Sequence, residues 1–426
     1  MIFLELLQVA AGQRRCISKV LNGEEWRLMY ELFKKHALLG IGYVAIQKLP
    51  KEQWPPSNIV LSLTAYATQI KAKNEKLNEE CSEVVRQMEH DGIHAVVIKG
   101  QSNWENYPED LREYRNPGDI DVWTKPLENE ECRMKNEETS FGGRRESQCS
   151  GAAEGVAIAV QMGDSVEYEY YKGIRGIIEY ARLQRRQRED KSLFKPLYYH
   201  VEYHTDKGTE VEMHYRPSFL CSPIRNMLMQ RWFKEQFDVC LKNKCQLGFP
   251  VLTSSVNVVY QLVHLYRHVF EGGIGLRQLM DYYFALRVWH NDVMECKDLQ
   301  SQGMWSEGLG TAVMSKEEVI SVLSSFGISK FTAAVMYVLQ EVFAMPTHYY
   351  ICEPNEKEGR KLLAEIMQGG NFGQYGTRDA ELKKGGMMKH GVWKLKRVMR
   401  LVSSYPEEAL WEPVFRVYHL FWRFVN

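Results

Sequence analysis

The chain has 426 residues, of which 45% are apolar and 12% aromatic, so intrinsic disorder is excluded and there is enough material for two or three domains with a buried core. The 54 basic residues equal the 54 acidic residues in number, and this balance gives no support to a protein that coats nucleic acid or binds a membrane surface. The nine cysteines form no CxxC pair, which predicts reduced thiols and argues against a zinc site.

The N-terminal segment, residues 1–15, carries Glu5 within a short apolar run and has no basic residues ahead of that run. This pattern predicts an amphipathic helix rather than a secretory signal. The apolar runs of the sequence are also shorter than the roughly 20 residues that a membrane span requires. We therefore expect a cytoplasmic protein without a membrane partner.

Residues 1–90 are predicted to be helical. Apolar residues recur at intervals of three and four positions, and the last of these patterns is closed by Gly92, in the position of a helix C-terminal cap. The period then changes, because residues 93–98 form a short apolar run rich in β-branched side chains that leads to Lys99 and Gly100. This run predicts a buried strand that enters a loop.

The motif Gly-Asp-Ile-Asp-Val-Trp, residues 118–123, places two carboxylates on one face of a predicted strand. Asp119 and Asp121 alternate with Ile120 and Val122, and residues i and i+2 of a strand share a face. Two carboxylates roughly 6–7 Å apart raise each other's pKa unless a cation offsets their charge. Oxygen ligands favour Mg²⁺ or Mn²⁺, the ions of two-metal phosphoryl transfer. Taken alone, the pattern more often marks an edge strand with a solvated face.

The composition of residues 126–165 is polar and rich in glycine, with little periodicity. This composition predicts an insertion or a loop between core elements. The basic run at residues 181–191 is predicted to be the solvated face of a helix.

Two strand patterns, residues 197–205 and 209–217, flank the turn sequence Asp-Lys-Gly and predict a β-hairpin. In the second pattern Glu210, Glu212 and His214 share one face, and the residues between them are apolar. Glu212 therefore offers a third carboxylate, from a strand expected to neighbour the two aspartates.

From about residue 253 onward the chain is again predicted to be helical. A glycine-rich stretch at residues 368–391 interrupts the helices, and a basic, aromatic-rich helical segment follows. His264 and His268 are four residues apart on a predicted helix, but a third ligand in register is missing, so we do not predict a metal site there.

Four segments together resemble the uncharacterised nucleotidyltransferase family of the polymerase-β superfamily. They read VVIKGQS, NYPEDLREYRNPGDIDVW, YHVEYHTDKGTEVEMHYRPSF and HLYRHVFEGGIGLRQLMDYY. With the helical flanks, the resemblance covers most of the chain. It implies that Asp119, Asp121 and Glu212 are catalytic and hold two Mg²⁺ or Mn²⁺ ions. It also implies that a nucleoside triphosphate is attacked at its α-phosphate by an acceptor hydroxyl, with release of pyrophosphate.

We expect an α+β fold with a small mixed β-sheet of nucleotidyltransferase type. An N-terminal helical segment is predicted at residues 1–90, and a C-terminal helical domain at residues 221–426. The nucleotidyltransferase core is predicted at residues 91–220, with an insertion near residues 126–195. The partners are a nucleoside triphosphate and an unknown acceptor, which is a small molecule or a macromolecule; nucleic acid is the less expected acceptor.

The nucleotide is expected to contact the loop after the first strand, the segment before the two aspartates and the helical domain. Lys99 and Gly100 end a strand where backbone N–H groups and an ammonium can face a triphosphate, although an ordinary turn fits equally well. Arg115 either pairs with the aspartates or holds a phosphate. Arg277 and Asp281, which match the second motif of the family, either contact the nucleotide or form a structural bond. The expected nucleotide-binding set is Lys99, Gly100, Ser102, Arg115, Gly118, Arg277 and Asp281.

Two alternatives to an active nucleotidyltransferase of this kind stay open. The first is a non-catalytic nucleotide-binding or scaffold protein of the same fold, which an intact set of three carboxylates disfavours. The second is an RNA-modifying transferase, which the basic segments at residues 182–191 and 389–400 leave open.

Overall fold

The computed structural model describes the protein over six stretches of the chain, with a small mixed sheet set among helices. This architecture confirms the α+β class expected from the sequence. The described residues are 1–127, 155–162, 165–191, 193–302, 313–376 and 386–425.

Four helices precede the sheet: α1 (Ile2–Ala10), α2 (Gly23–Lys35), α3 (Leu39–Lys48) and α4 (Ser57–His90). The long helix α4 buries a stripe of apolar side chains, among them Leu77, Cys81 and Met88, against the first strand of the sheet. Gly92 follows α4 with a φ of 84°, the left-handed conformation that glycine adopts without strain. The predicted helix end at Gly92 is therefore confirmed.

The strands are β1 (Ile93–Val97), β2 (Ile120–Pro126), β3 (Gly155–Met162), β4 (Ser165–Lys172), β5 (His200–His204) and β6 (Glu210–His214). Four of them form one sheet in the order β1-β2-β6-β5, in which β2 and β6 are parallel and the other neighbours are antiparallel. Strands β3 and β4 form a separate hairpin. The hairpin predicted for β5 and β6 is confirmed.

One face of the sheet is packed into a hydrophobic core. Ile120 and Val122 of β2 and Val211 and Met213 of β6 are buried there, together with residues of α4. Successive side chains of a strand point to opposite faces. Asp121, between Ile120 and Val122, and Glu212, between Val211 and Met213, therefore point away from this core.

The region predicted as an insertion, residues 126–195, lies partly outside the described residues. Residues 155–162, which we expected to belong to a loop, form strand β3. The described part also includes helix α5 of this region (Gly173–Gln187), whose Ile177 and Ala181 belong to the core of the sheet. This helix is therefore part of the packing of the sheet.

The basic run at residues 181–191 is only partly solvated. Arg185 is buried, pairs with Asp190 at 3.4 Å and lies over the ring of Phe194. The prediction of a solvated face is wrong for this residue, because the aliphatic part of an arginine packs readily on an aromatic ring while its charge is paired.

The helices after the sheet are α6 (Pro223–Lys242), α7 (Ser254–Glu271), α8 (Leu276–Ser301), α9 (Lys316–Ser325), α10 (Ser329–Phe343), α11 (Glu356–Gly369), α12 (Met387–Leu401) and α13 (Pro406–Val425). They share one hydrophobic core with the N-terminal helices, in which Phe3 and Leu6 of α1 belong to the same cluster as Tyr283 of α8 and Phe343 of α10. The division of the chain at residues 90 and 220 stays a prediction.

Two N-terminal helices hold the segment that leads into β2. Gly40 of α3 lies so close to this segment that a Cβ atom at residue 40 would clash with the carbonyl oxygen of Tyr114. The Nδ2 group of Asn74 in α4 donates to the carbonyl oxygens of Glu113 (2.9 Å) and Arg115 (2.8 Å). The helical flank therefore fixes the chain just before the strand that carries the aspartates.

We expect Gly40→Ala to destabilise the protein by about 1–3 kcal/mol, because the added methyl group forces α3 away from the segment before β2. Gly391→Ala is the matched control, since a Cβ atom at residue 391 meets open space in α12 and alanine is the better helix former. Denaturant unfolding of the wild type and both variants measures the difference. Equal unfolding midpoints for the wild type and Gly40→Ala would contradict the prediction.

Candidate active site

Strands β2 and β6 bring two carboxylates side by side. In the parallel pairing of these strands Asp121 lies opposite Glu212, and Trp123 lies opposite His214. Asp121 and His214 are buried, and the side chain of Glu212 is 17% exposed. The structure thus places Glu212 on β6, the strand next to the one that carries Asp121. Both carboxylates are on the face of the sheet opposite the core that includes α4.

The ammonium group of Lys99 lies in contact with both carboxylates. Lys99 follows β1, and its Nζ is 2.5 Å from Oδ1 of Asp121 and 3.3 Å from Oε2 of Glu212. All three groups are largely removed from water, where charges attract one another much more strongly than at the surface. Lys99, which we expected to face a triphosphate, is therefore the internal counter-ion of the two carboxylates.

Burial and charge move the pKa values of these three groups in different directions. Burial alone lowers the pKa of Lys99, but the negative charges of Asp121 and Glu212 outweigh it and hold this pKa well above its usual value. Burial raises the pKa of Asp121, and the negative charge of Glu212 raises it further. The positive charge of Lys99 lowers this pKa but does not outweigh the other two effects. Burial also raises the pKa of Glu212, but Lys99 and a hydrogen bond from His214 hold it well below its usual value. Lys99 and Glu212 are therefore both charged at neutral pH.

Two buried histidines flank Glu212. The Nε2 atom of His214 lies 3.0 Å from Oε2 of Glu212 and 3.2 Å from Oδ1 of Asp121. Burial lowers the pKa of His214 to about 4, so the ring is neutral at pH 7 and its Nε2–H group donates to these carboxyl oxygens. His200 of β5 pairs with His214 in the sheet, and its Nδ1 atom is 3.6 Å from Oε2 of Glu212.

Asp119 reaches the same cleft from the loop just before β2. Asp119 is exposed to solvent at the cleft. Partial burial of its carboxyl group and the negative charge of Glu212 nevertheless raise the pKa of Asp119. Gly100 passes close to it, with a φ of 62° and an expected Cβ position only 3.2 Å from the carbonyl oxygen of Asp119. A side chain at residue 100 would be strained by both features, so glycine is required there. Gly118 also lines the cleft.

Helices α7 and α8 form the other wall of the cleft. His264 and His268 of α7 are on this wall, with their Nε2 atoms 3.0 Å apart, so the two rings bond to each other. Other lining residues are Tyr260 and Arg267 of α7, Arg277 and Asp281 of α8, and Phe372 of the segment after α11.

A buried amide network connects this wall with the loop after Lys99. Asn103, in the 3₁₀ helix Gly100–Asn106, accepts hydrogen bonds at Oδ1 from Asn257 Nδ2 (3.0 Å) and from Gln261 Nε2 (2.8 Å). Buried hydrogen bonds of this kind fix the distance between the elements that they join. Ser102 of the same 3₁₀ helix does not line the cleft, and its buried Oγ atom has no hydrogen-bond partner among the described residues.

A buried ion pair joins the segment before β2 to α8. Arg115 donates from Nε to Oδ1 of Asp281 (2.7 Å) and from Nη2 to Oδ2 (2.8 Å), and the hydroxyl of Tyr107 donates to the same carboxylate. Arg115 therefore pairs with Asp281 and not with the aspartates at β2. Arg277 donates from Nη1 to the carbonyl oxygen of Asn116 (3.0 Å). The structural Arg–Asp bond considered for Arg277 is thus made by Arg115.

Three further residues of the cleft, Arg267, Glu271 and Phe372, were not among the predicted site residues. Arg267 lies over the ring of Tyr199 at 4.3 Å and pairs with Glu271 at 3.1 Å. Arg267 lies three positions and Glu271 seven positions after His264. The helical period could therefore have predicted that both residues share the face of α7 that carries His264. Phe372 lies in a glycine-rich stretch without a periodic pattern and gave no such signal.

The sheet, the paired carboxylates and the helical wall agree with the nucleotidyltransferase class that the sequence resembles. The uncharacterised nucleotidyltransferase family matches residues 22–303, which is more than half of the chain. The chain belongs to this family. No curated protein and no solved structure matches the chain. Among the helices that the structure describes, none has both the length and the apolar character of a membrane-spanning segment.

We expect Asp281→Asn to lower the free energy of unfolding by about 3–5 kcal/mol, because the guanidinium of Arg115 would stay buried without its counter-charge. Glu356→Gln is the control, since Glu356 and Arg360 form a surface pair with both side chains about two thirds exposed. Its effect should stay below about 1 kcal/mol. Denaturant unfolding compares the two variants, and similar losses would show that the buried pair contributes no more than a surface pair.

Proposed function

We propose that the protein transfers a nucleoside monophosphate from a nucleoside triphosphate to an acceptor hydroxyl and releases pyrophosphate. The observation that carries this proposal is the convergence of Asp119, Asp121 and Glu212 on one cleft that also holds Lys99 and Arg277. In this reaction the acceptor oxygen forms a bond to the α-phosphorus, the bond to the pyrophosphate oxygen breaks, and the hydroxyl proton passes to solvent water. Membership of the family supports the reaction class.

The three carboxylates offer the oxygen donors that a divalent cation binds. Closely spaced carboxylates with little access to water require a positive charge beside them, and the ammonium of Lys99 already takes such a position against Asp121 and Glu212. Carboxylate oxygens are the ligands that Mg²⁺ and Mn²⁺ prefer, and we assign this role to Asp119, Asp121 and Glu212. When bound, such ions stabilise the charge on the phosphoryl group and activate the attacking oxygen.

Arg277 is suited to bind the triphosphate. Arg277 is half-buried, its Nη1 group donates to the carbonyl oxygen of Asn116, and its Nε atom has no partner among the described residues. Burial and the neighbouring charge of Arg115 lower the pKa of Arg277, so a bound anion would stabilise the charged group. We assign to Arg277 a charge-assisted hydrogen bond to a phosphate oxygen.

Glu212 is assigned the role of a ligand rather than that of a general base. The charge of Lys99 and a hydrogen bond from His214 hold the pKa of Glu212 well below its usual value, which makes this carboxylate a weak base. His214 in turn keeps the carboxylate of Glu212 directed toward Asp121.

The other predicted nucleotide-binding residues take different roles in this proposal. Gly100 and Gly118 line the cleft, and a backbone without a side chain there allows close approach of the phosphates. Arg115 and Asp281 hold the helical wall in place through their ion pair. Ser102 has no role, because it lies off the cleft. The cytoplasmic location stays a prediction.

In the presence of Mg²⁺ or Mn²⁺ we expect the protein to release pyrophosphate from at least one nucleoside triphosphate when acceptor hydroxyls of sugars, peptides and RNA are offered. Asp121→Asn should lower this rate by about 10²–10³-fold or more, because it removes a charged group at the reacting phosphate. Asp110→Asn is the control, since Asp110 is exposed, pairs with Lys48 and does not line the cleft.

A coupled assay for pyrophosphate and transfer of labelled nucleotide measure the same reaction independently. If Asp121→Asn and the wild type release pyrophosphate at the same rate in every acceptor mixture, the activity does not come from this cleft. A wild type that binds nucleoside triphosphate without any turnover would favour the alternative of a non-catalytic nucleotide-binding protein.

Lys99→Met tests the counter-ion role of Lys99. The change removes the positive charge but keeps an unbranched side chain, so Asp121 and Glu212 repel each other and the melting temperature in a metal chelator should fall. Saturating MgCl₂ should then raise the melting temperature of this variant more than that of the wild type. Lys207→Met, at an exposed pair with Glu83, is the control. An equal response to Mg²⁺ in all three proteins would place the ion elsewhere.

A further inference from the structure

The segment after α11 has an unusual backbone. Gly370, Phe372 and Gly373 have φ values of 66°, 50° and 65°, so three of four consecutive residues are in the left-handed region. Glycine adopts this conformation freely, but for a bulky residue such as phenylalanine it is rare and strained. A strained residue of this kind persists only where its surroundings hold it, and such positions are often functional.

Close contacts between backbones hold Phe372 in this conformation. A Cβ atom at Gly373 would clash with the carbonyl oxygen of Gly272, in the turn between α7 and α8. On the same turn, a Cβ atom at Gly275 would come within 2.9 Å of the side chain of Asn371. Glycines on both sides therefore allow the segment to pack directly on the turn that joins the two helices of the cleft wall.

The result of this packing is that the ring of Phe372 faces the cleft. The residue is half-buried, its ring lies 5.3 Å from the ring of His268, and the guanidinium carbon of Arg277 is 5.7 Å from the ring centroid. Most of the other side chains on the cleft are charged or can hydrogen-bond. Phe372 thus adds a flat apolar surface directly beside the arginine that we assign to the triphosphate.

We propose that Phe372 is the stacking surface for the base of the nucleoside triphosphate, an inference that rests on the proposed function. A nucleoside triphosphate has a highly charged end and a flat aromatic end, and the cleft offers cations for the first and an aromatic ring for the second. Arg277 is close to both regions, because its guanidinium carbon is 5.7 Å from the ring centroid of Phe372 and its Nη1 atom is 3.8 Å from the Cβ position at Gly118, the residue before Asp119. Because every base has an aromatic face, stacking on Phe372 favours nucleotides over free polyphosphate without selecting one base.

The stacking residue lies outside residues 22–303, the part of the chain that the family matches. In this proposal the base is bound by a segment after the matched region, whereas the phosphates are bound by residues within it.

The test compares the binding of ATP with that of inorganic tripolyphosphate, each with Mg²⁺, by isothermal titration calorimetry. Phe372→Ala should weaken the binding of ATP by about 5- to 150-fold, the usual effect of removing one base-stacking ring, and should leave the affinity for tripolyphosphate unchanged within about two-fold. Phe372→Tyr, which keeps the aromatic face, should retain the affinity for ATP.

Two further variants separate stacking from packing. Phe372→Leu keeps most of the apolar volume but not the aromatic face, so it should also weaken ATP more than tripolyphosphate. Tyr375→Ala removes another aromatic ring of the same segment. Tyr375 is 48% exposed and does not line the cleft, so the affinities for ATP and for tripolyphosphate should both stay unchanged. The melting temperature of each variant is measured alongside.

The outcomes distinguish this inference from the proposed function. If the wild type binds both ligands and Phe372→Ala binds ATP as tightly as the wild type, the stacking role is wrong while the proposed function stands. If Phe372→Ala weakens both ligands equally, the ring only shapes the cleft and the inference is also overturned. If the wild type binds neither ligand, the proposed function fails, and the inference fails with it.

Discussion

Two carboxylates that face each other across parallel strands, with little water around them, need a positive charge to stay together. Asp121 and Glu212 are in this position because the apolar residues next to each of them in sequence point to the opposite face of β2 and β6. Those apolar residues are fixed in the core of the sheet. Lys99 supplies the charge from the end of β1. The left-handed turn at Gly100 then lets the chain pass close to Asp119. The interactions that stabilise three strands of the sheet are therefore the same ones that arrange the candidate site.

The helical wall is attached to this sheet by polar contacts rather than by apolar packing alone. The Arg115–Asp281 pair secures α8 to the segment before β2, and the amide network around Asn103 secures α7 to the loop after β1. Both sets of contacts are buried and specific in direction, so they set the width of the cleft before any ligand arrives. A cleft with fixed walls binds a ligand with less loss of conformational entropy.

Period-two alternation was sufficient to predict β2, β6 and the shared face of Asp121 and Glu212, since a slip of one residue would bury these charges in the core. Asp119, which the same alternation assigned to the strand, lies just before Ile120, the first residue of β2. The alternation pattern could not predict which arginine pairs with Asp281, because Arg115 and Arg277 both lie near this carboxylate. The packing of α8 on the segment before β2 decides that the partner is Arg115. The place of Phe372 was also beyond prediction, since it depends on a backbone conformation that local sequence preferences disfavour.

The two strands that carry Asp121 and Glu212 are constrained in register but not in their separation along the chain. A parallel pair always needs a crossover connection, and here it includes the hairpin of β3 and β4, helix α5 and strand β5. Doubling the length of a flexible connection costs only about 0.6 kcal/mol in closure entropy. Closure entropy therefore sets only a weak limit on the length of such a connection, whereas the register of β2 and β6 fixes which residues face each other across the two strands.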